Sequence, residues 1–361
     1  RTNPKEIVSD VPEGYAGTQD PNAAINTQHG RFSMDRKGKK IFQFSGGMPK
    51  EISNSGVREF LKENLDLELL KQYDYSLVDE VEGIGYRLGF DHRFNRLMIT
   101  KVDYKVKNTD KVEFTEGKFR EKDKDGNLGV YVSLGDPAFF ENKSFTLSYD
   151  PISGRWISFH TYFPDGYAWD RDHMYTIKEG GFWKHGDKYG DYQIFYDEYH
   201  PHIIEFAITK SGIHTSFTDL EMDVEAEKYD GNEWVKSQHK TFNKGVFYNN
   251  IQSSGEVQLE ERDHVSAIGA MKRDDDKSII EWKNDFVRLN QLRDKVIDPT
   301  LPIFDGEGNG LKNINEDNIG KPKDNFEGRY MVARLILDDE ETQNIKHLTK
   351  RVFTQQEVTV K

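Results

Sequence analysis

The chain has 361 residues, a net charge of −13, no cysteine, and a composition that is 35% apolar and 12% aromatic. The lack of cysteine excludes disulfides and thiolate metal sites, and the acidic balance disfavours general binding to nucleic-acid phosphates, which needs clustered Lys and Arg. No apolar run approaches the roughly 18 residues that a membrane-spanning helix requires. The aromatic content argues against disorder and suits thin sheets in which Phe, Tyr and Trp supply burial that few aliphatics provide. The chain opens at Arg1 rather than Met, without a signal peptide, which leads us to expect a fragment or a processed product.

In chain order, residues 1–29 read as an extended N-terminal arm, punctuated by Pro4, Pro12, Gly14, Gly17 and Pro21. Residues 30–255 read as β-propeller-like blades with a helical insertion at about 55–72. Segments 30–34 and 40–44 form a hairpin around 35–38. The run 56–72 is the best helix, with Val57, Phe60, Leu61, Leu65 and Leu69 at helical spacing and Ser53 or Ser55 as its cap. Hairpins follow at 86–91 with 96–100, and at 119 with 130–132 across Lys124, Asp125, Gly126 and Asn127.

The most informative stretch is 144–186. Phe145, Leu147 and Tyr149 alternate with Ser144, Thr146 and Ser148; Asp150-Pro151 and Ser153-Gly154 then turn the chain into 156–159. A second hairpin, 174–177 with 182–184, closes on Glu179-Gly180-Gly181. Four such strands in a row predict one antiparallel blade. Further hairpins are predicted at 193–196 with 203–208, and at 216–227 with 233–236. Residues 256–361 read as an irregular β region. It holds a turn at 274–277, one strand within 281–290, a long loop at 298–324, and strands at 329–337 and 350–354.

Several residue groups resemble chemical sites. Glu121, Asp123, Asp125 and Gly126 mimic the start of a calcium loop, yet its twelfth position is Val132 rather than a bidentate Glu, so a hairpin tip is expected. Asp165, Trp169, Asp170 and Asp172, with Tyr167, read as a loop that places acids beside rings, as a glycan site would. His200-Pro201-His202 resembles a metal-binding dipeptide without a third ligand, and an ordinary loop is expected. His160, His173 and His185 read as structural or exposed, and Tyr131, Tyr149, Trp156, Phe159 and Tyr162 as sheet core. Nucleophile elbows, phosphate-binding loops and dinucleotide fingerprints are absent; Gly83-x-Gly85 lacks the third glycine.

Residues 95–104 (NRLMITKVDY), 144–150 (SFTLSYD) and 155–164 (RWISFHTYFP) resemble segments of the tail muzzle or nozzle (stabilisation) structural proteins of crAss-like phages, short-tailed phages of gut Bacteroidales. Segments 30–33, 55–60, 329–337 and 350–354 fit the same likeness, which spans most of 30–355. The resemblance implies a propeller-containing protomer in a homo-oligomeric ring at the distal end of the tail, six-fold by the family's tail symmetry. That ring forms the DNA exit channel and keeps it closed until infection. It also implies a virion location and other phage tail proteins as partners. An N-terminal fragment of the same precursor, left by proteolytic processing, is a further partner that the resemblance leads us to expect. DNA only passes through; no membrane segment, cofactor, metal or catalytic residue is implied.

The leading expectation is therefore a structural virion protein and not an enzyme. The alternative is a carbohydrate-binding or glycan-hydrolysing tail-associated propeller centred on Asp165, Trp169, Asp170 and Asp172. A bacterial surface-attached binding protein is the third reading, against which the lack of a signal or lipid anchor counts.

Overall fold

A computed structural model describes residues 17–18, 20–46, 48–73, 81–115, 117–186, 192–209, 215–237, 240–250, 252–261, 277–283, 286–290, 292, 326–338 and 345–358. The protein is mainly β, and among the described residues its sheets are antiparallel but for one strand pair. The chain divides into two compact units, Arg1–Lys188 and Tyr189–Lys361. No helix among the described residues is long and apolar enough to cross a membrane.

The first unit opens with β1 (Ala24–Thr27), β2 (Gly30–Asp35), β3 (Lys40–Ser45) and β4 (Met48–Glu51), a four-stranded meander in sequence order. Part of the expected arm is thus a strand, with Ala24 paired to Ser33 and Thr27 to Gly30. Residues 1–16 lie outside the described residues. Gly30 is obligatory: its φ is +108°, and a Cβ there would lie 1.9 Å from the Phe44 carbonyl oxygen.

The helical insertion expected at about 55–72, as one or two short helices, is two, α1 (Arg58–Asn64) and α2 (Glu68–Gln72). Neither serine caps α1; its N-cap position is Val57, without a side-chain bond. Ser53 instead accepts the Ile41 amide and donates to Glu51. The break between the helices has a cause in the strand beneath, described below.

Next come β5 (Gly85–Asp91), β6 (Arg96–Val102), β7 (Tyr104–Val106), β8 (Val112–Thr115), β9 (Lys118–Lys122), β10 (Leu128–Val132), β11 (Phe140–Asn142), β12 (Phe145–Asp150) and β13 (Arg155–His160). The unit ends with β14 (Gly166–Trp169), β15 (Met174–Lys178) and β16 (Gly181–Lys184). They form sheets of order β13-β12-β6-β5, β10-β9-β8, β11-β7 and β14-β15-β16. The hairpins at 86–100, 119–132 and 145–160 are as predicted.

The four strands of 144–186 do not make one blade. The free edge of β12 is taken by β6, with Leu147 opposite Ile99 and Tyr149 opposite Leu97. The second hairpin is completed by β14, which occupies part of the expected acidic loop. The core of this unit gathers Phe32, Met34, Ile41, Leu61, Leu65, Leu69, Tyr86, Phe90, Leu97, Ile99, Leu147 and Tyr149. Tyr149 and Tyr162 are buried as expected, and Trp156 is half-buried, donating to the Ile52 carbonyl. Tyr131 and Phe159 are exposed instead.

The second unit holds β17 (Ile194–Phe195), β18 (Glu198–Tyr199), β19 (His202–Thr209), β20 (Thr215–Tyr229), β21 (Trp234–Lys236), β22 (Lys244–Tyr248), β23 (Ser253–Glu261), β24 (Lys277–Lys283), β25 (Phe286–Asn290), β26 (Phe326–Gly328), β27 (Tyr330–Leu337) and β28 (Ile345–Val358). Apart from the small β17–β18 hairpin, they join one ten-stranded sheet of order β19-β27-β22-β23-β24-β25-β20-β21, with β26 and β28 also paired to β20. Along β20, Met222, Val224 and Ala226 are buried, while Glu221, Asp223, Glu225 and Glu227 alternate with them. That period of two packs one face and wets the other.

The hairpin predicted at 216–236 is present. The one predicted at 193–208 is not. Ile194–Phe195 turns through Tyr196 and Asp197, both at positive φ, onto Glu198–Tyr199, while β19 pairs with β27. The strand expected within 281–290 is two, β24 and β25, paired with Trp282 opposite Val287. The chain does not divide after Gly255, because β22 and β23 share the sheet of β27. The predicted strands at 329–337 and 350–354 fall in β27 and β28. The loop at 298–324 and the acidic triplet 274–276 lie outside the described residues.

Candidate functional site

The acidic stretch 165–172 is built around β14. Trp169 ends that strand, with Asp165 before it and Asp170 and Asp172 in the turn after it. One Asp170 oxygen accepts the amides of Asp172 and His173, both at 2.7 Å, and the other accepts the Tyr175 hydroxyl at 3.0 Å. These bonds, the two backbone amides first, hold its carboxyl down at about 2. Asp165 accepts the Glu179 amide at 3.0 Å, lies 3.8 Å from the Lys178 ammonium, and its carbonyl accepts Arg87. Both aspartates therefore shape turns. A glycoside hydrolase needs a carboxyl raised toward neutrality as its acid; Asp170 is shifted the other way. Asp172 is exposed.

The β14-β15-β16 sheet (hereafter the third sheet, with β13-β12-β6-β5 the second) also presents an aromatic face. Tyr175 and Phe182 are stacked, with centroids 5.0 Å apart and planes at 13°. Phe182 is 65% exposed, and Ile177 stands opposite it in the register. A flat apolar surface of this kind can stack a sugar ring or meet another protein.

The other motifs resolve into local structure. Asp123 accepts the amides of Asp125 and Asn127 and the Asn127 side chain, closing the β9–β10 hairpin tip as expected. His200 donates its amide to the Gln193 carbonyl and packs its ring on Phe195. His202 lies in β19, stacked on Phe242. Burial lowers both imidazoles below their ordinary range. No group of three His, Cys, Asp or Glu among the described residues is placed to hold a metal ion.

Sequence reasoning missed a buried ionic clamp. Lys101 and Asp103, at the end of β6, pair at 2.9 Å with their side chains 1% and 0% exposed. The Lys101 ammonium also donates to the carbonyls of Asn64 and Asp66, at the end of α1. The Asp103 carboxylate accepts the amides of Glu68 and Leu69, at the start of α2. One strand thus caps the end of one helix and the start of the next. The Tyr86 hydroxyl joins it by donating to the Leu65 carbonyl. Burial pushes Lys101 down and Asp103 up, and their mutual attraction opposes both shifts. The signal was present: a Lys and an Asp two apart at the end of an apolar strand.

Beside the clamp runs a chain of hydroxyls. Thr100 bonds Thr146 at 2.8 Å and Tyr167 at 2.6 Å, and Thr146 donates to the Tyr162 carbonyl. Tyr167 lies over Gly89, where a Cβ would come within 2.4 Å of its ring. This seats the third sheet against β5.

The edges of the small sheets are apolar. On β10 Val130 is 71% exposed, and on β13 Ile157 and Phe159 are 52% and 59% exposed. Arg120 and Lys118 flank the exposed Tyr131 ring at 4.5 and 5.5 Å. Edge strands are normally blunted by charge, proline or a bulge. Here a bulge near Ile157 is present, yet large apolar side chains project regardless. Charge is also unevenly distributed. Residues 1–188 carry 28 Lys and Arg against 30 Asp and Glu, a net of −2; residues 189–361 carry 22 against 33, a net of −11.

No protein-family model matches the chain, and no curated protein matches it significantly.

Proposed function

We propose that this chain is a structural protein, the subunit of a homo-oligomeric ring at the distal end of a phage tail, which forms and closes the DNA exit channel. The observation that carries the assembly half of this reading is the exposed apolar edge of β10, β13 and β16. Unpaired strand edges with large apolar side chains favour association, and homo-oligomers close by symmetry. In this reading the successive small sheets of the first unit are propeller-like blades: β1–β4 is a complete four-stranded meander, and β5-β6-β12-β13 is a second one interrupted by β7–β11. The acidic second unit suits a wall past which DNA slides without sticking. The tail assignment itself rests on the resemblance of 95–104, 144–150 and 155–164. Cryo-electron microscopy of the native particle containing the chain tests it. A ring around a channel, attached to other tail subunits, is expected; a free monomer refutes it.

The second reading, a carbohydrate-binding face, is favoured by one observation, the half-buried Tyr175 stacked on the exposed Phe182. Calorimetric titration with soluble glycans before and after Phe182→Ala tests it. Saturable heat that the substitution abolishes supports glycan binding; no heat excludes it for those glycans.

A further inference from the structure

Three rings stand where the second and third sheets of the first unit meet. Tyr162 lies in the segment that leads from β13 to β14 and is buried. On one side its ring meets His160, the last residue of β13, at 5.4 Å; on the other it meets His185, just past β16, at 5.1 Å. Each imidazole bonds a hydroxyl of its own sheet through Nε2. His160 bonds Ser148 of β12 at 3.0 Å, and His185 bonds Thr176 of β15 at 2.7 Å. The His185 amide also donates to the Met174 carbonyl.

We propose that the His160–Tyr162–His185 stack is an acid-released latch that holds the third sheet, β14–β16, against the second.

The charges around the stack favour that behaviour. Arg96 of β6 opposes protonation of both rings. Asp91 of β5 favours it at His185, but Asp91 is already engaged by Arg96 at 3.1 Å and by the amides of Arg93 and Phe94. Arg93 donates to the Gly186 carbonyl next to His185. A second positive charge on the stack would thus face a guanidinium on β6 and an imidazolium across one tyrosine ring. Burial, with Arg96, lowers His160 to about 3; burial lowers His185 to about 4. Both folded-state values lie below the ordinary 6.5, so the neutral forms are the ones that pack. The contribution is complete above the unfolded value and is lost as pH falls from there toward the folded ones. Other ties between the sheets, Tyr167 on Thr100, Arg87 on the Asp165 carbonyl and Arg93 on the Gly186 carbonyl, run through hydroxyls, guanidinium groups and backbone carbonyls.

Hydrogen exchange of the full chain, corrected for intrinsic rates, tests the latch between about pH 7.5 and about pH 4.5. Residues 166–185 are expected to lose protection by up to about a hundredfold per histidine at the lower pH, while 24–51 of the same unit keeps theirs. The double substitution His160→Gln, His185→Gln should flatten that dependence. Unchanged protection of 166–185, or equal loss in both segments, overturns the latch. Should the variant fail to fold, histidine titration of the wild-type chain by NMR decides. Two imidazoles that stay neutral to about pH 4.5 support it, and titration of both near their ordinary value overturns it.

Discussion

The two units reach stability by different means. Among the described residues, the first is assembled from five small sheets and two short helices; the second is dominated by one ten-stranded sheet. Among the described residues, every buried charged side chain, Asp20, Arg36, Asp91, Lys101 and Asp103, lies in the first unit. Among the side chains described, the second buries Thr, Ser, Asn and Gln but no charge, and keeps the acids of β20 off its apolar face. In one continuous sheet, backbone register fixes where each strand lies. Small sheets packed on each other have no shared ladder, and hydrophobic contact is non-directional. Directional bonds such as Lys101 to the α1 carbonyls, or Tyr167 to Thr100, supply the missing orientation.

The comparison is broken most severely by Lys101→Met. It leaves Asp103 buried without its cation, at a cost of about 3–5 kcal/mol. Denaturant unfolding should show the loss, and hydrogen exchange should place it at 58–72 while 330–337 keeps its protection. Pairing it with Asp103→Leu should recover part of the loss, since an apolar pair leaves no stranded charge. In the other unit, Leu335→Ala removes a fully buried side chain from β27, which is paired on both edges by β19 and β22, and should cost about 2–5 kcal/mol. The same two measurements should now show the reverse pattern, with 330–337 affected and 58–72 spared. Gly89→Ala drives a methyl into the Tyr167 ring and should cost about 1–3 kcal/mol. Its effect should appear as lost protection in 166–178, leaving β1–β4 unchanged. The paired substitution Ile157→Ser, Phe159→Ser should cost about 0.5–1.5 kcal/mol, because the Phe159 ring lies edge-to-face on Phe60 at 4.9 Å, yet lower the mass seen by light scattering.

Local pairing was legible in the sequence, because alternation and turn residues act over a few positions. The 86–100, 119–132 and 216–236 hairpins follow from Asn95, Gly126 and Gly231, each at positive φ. Which hairpins share a sheet was not legible. β12 pairs with β6 across more than forty intervening residues, and nothing in 144–150 names that partner. Helical spacing over 56–72 was real, but the break at Leu65–Leu67 is imposed from β6, outside the window that periodicity reads. The acidic stretch at 165–172 was visible as composition. Its role was not, because an Asp that accepts two amides looks the same in sequence as one poised for catalysis.

The central claim is that the apolar edges of the first unit join copies of this chain into a ring. The most direct test is the mass and symmetry of the assembled chain, by native mass spectrometry and cryo-electron microscopy. The account predicts a closed ring with β10, β13 or β16 buried at the subunit contact, reduced to smaller species by Ile157→Ser with Phe159→Ser. A wild-type chain that stays monomeric, or a ring whose contacts leave all three edges in solvent, would contradict it.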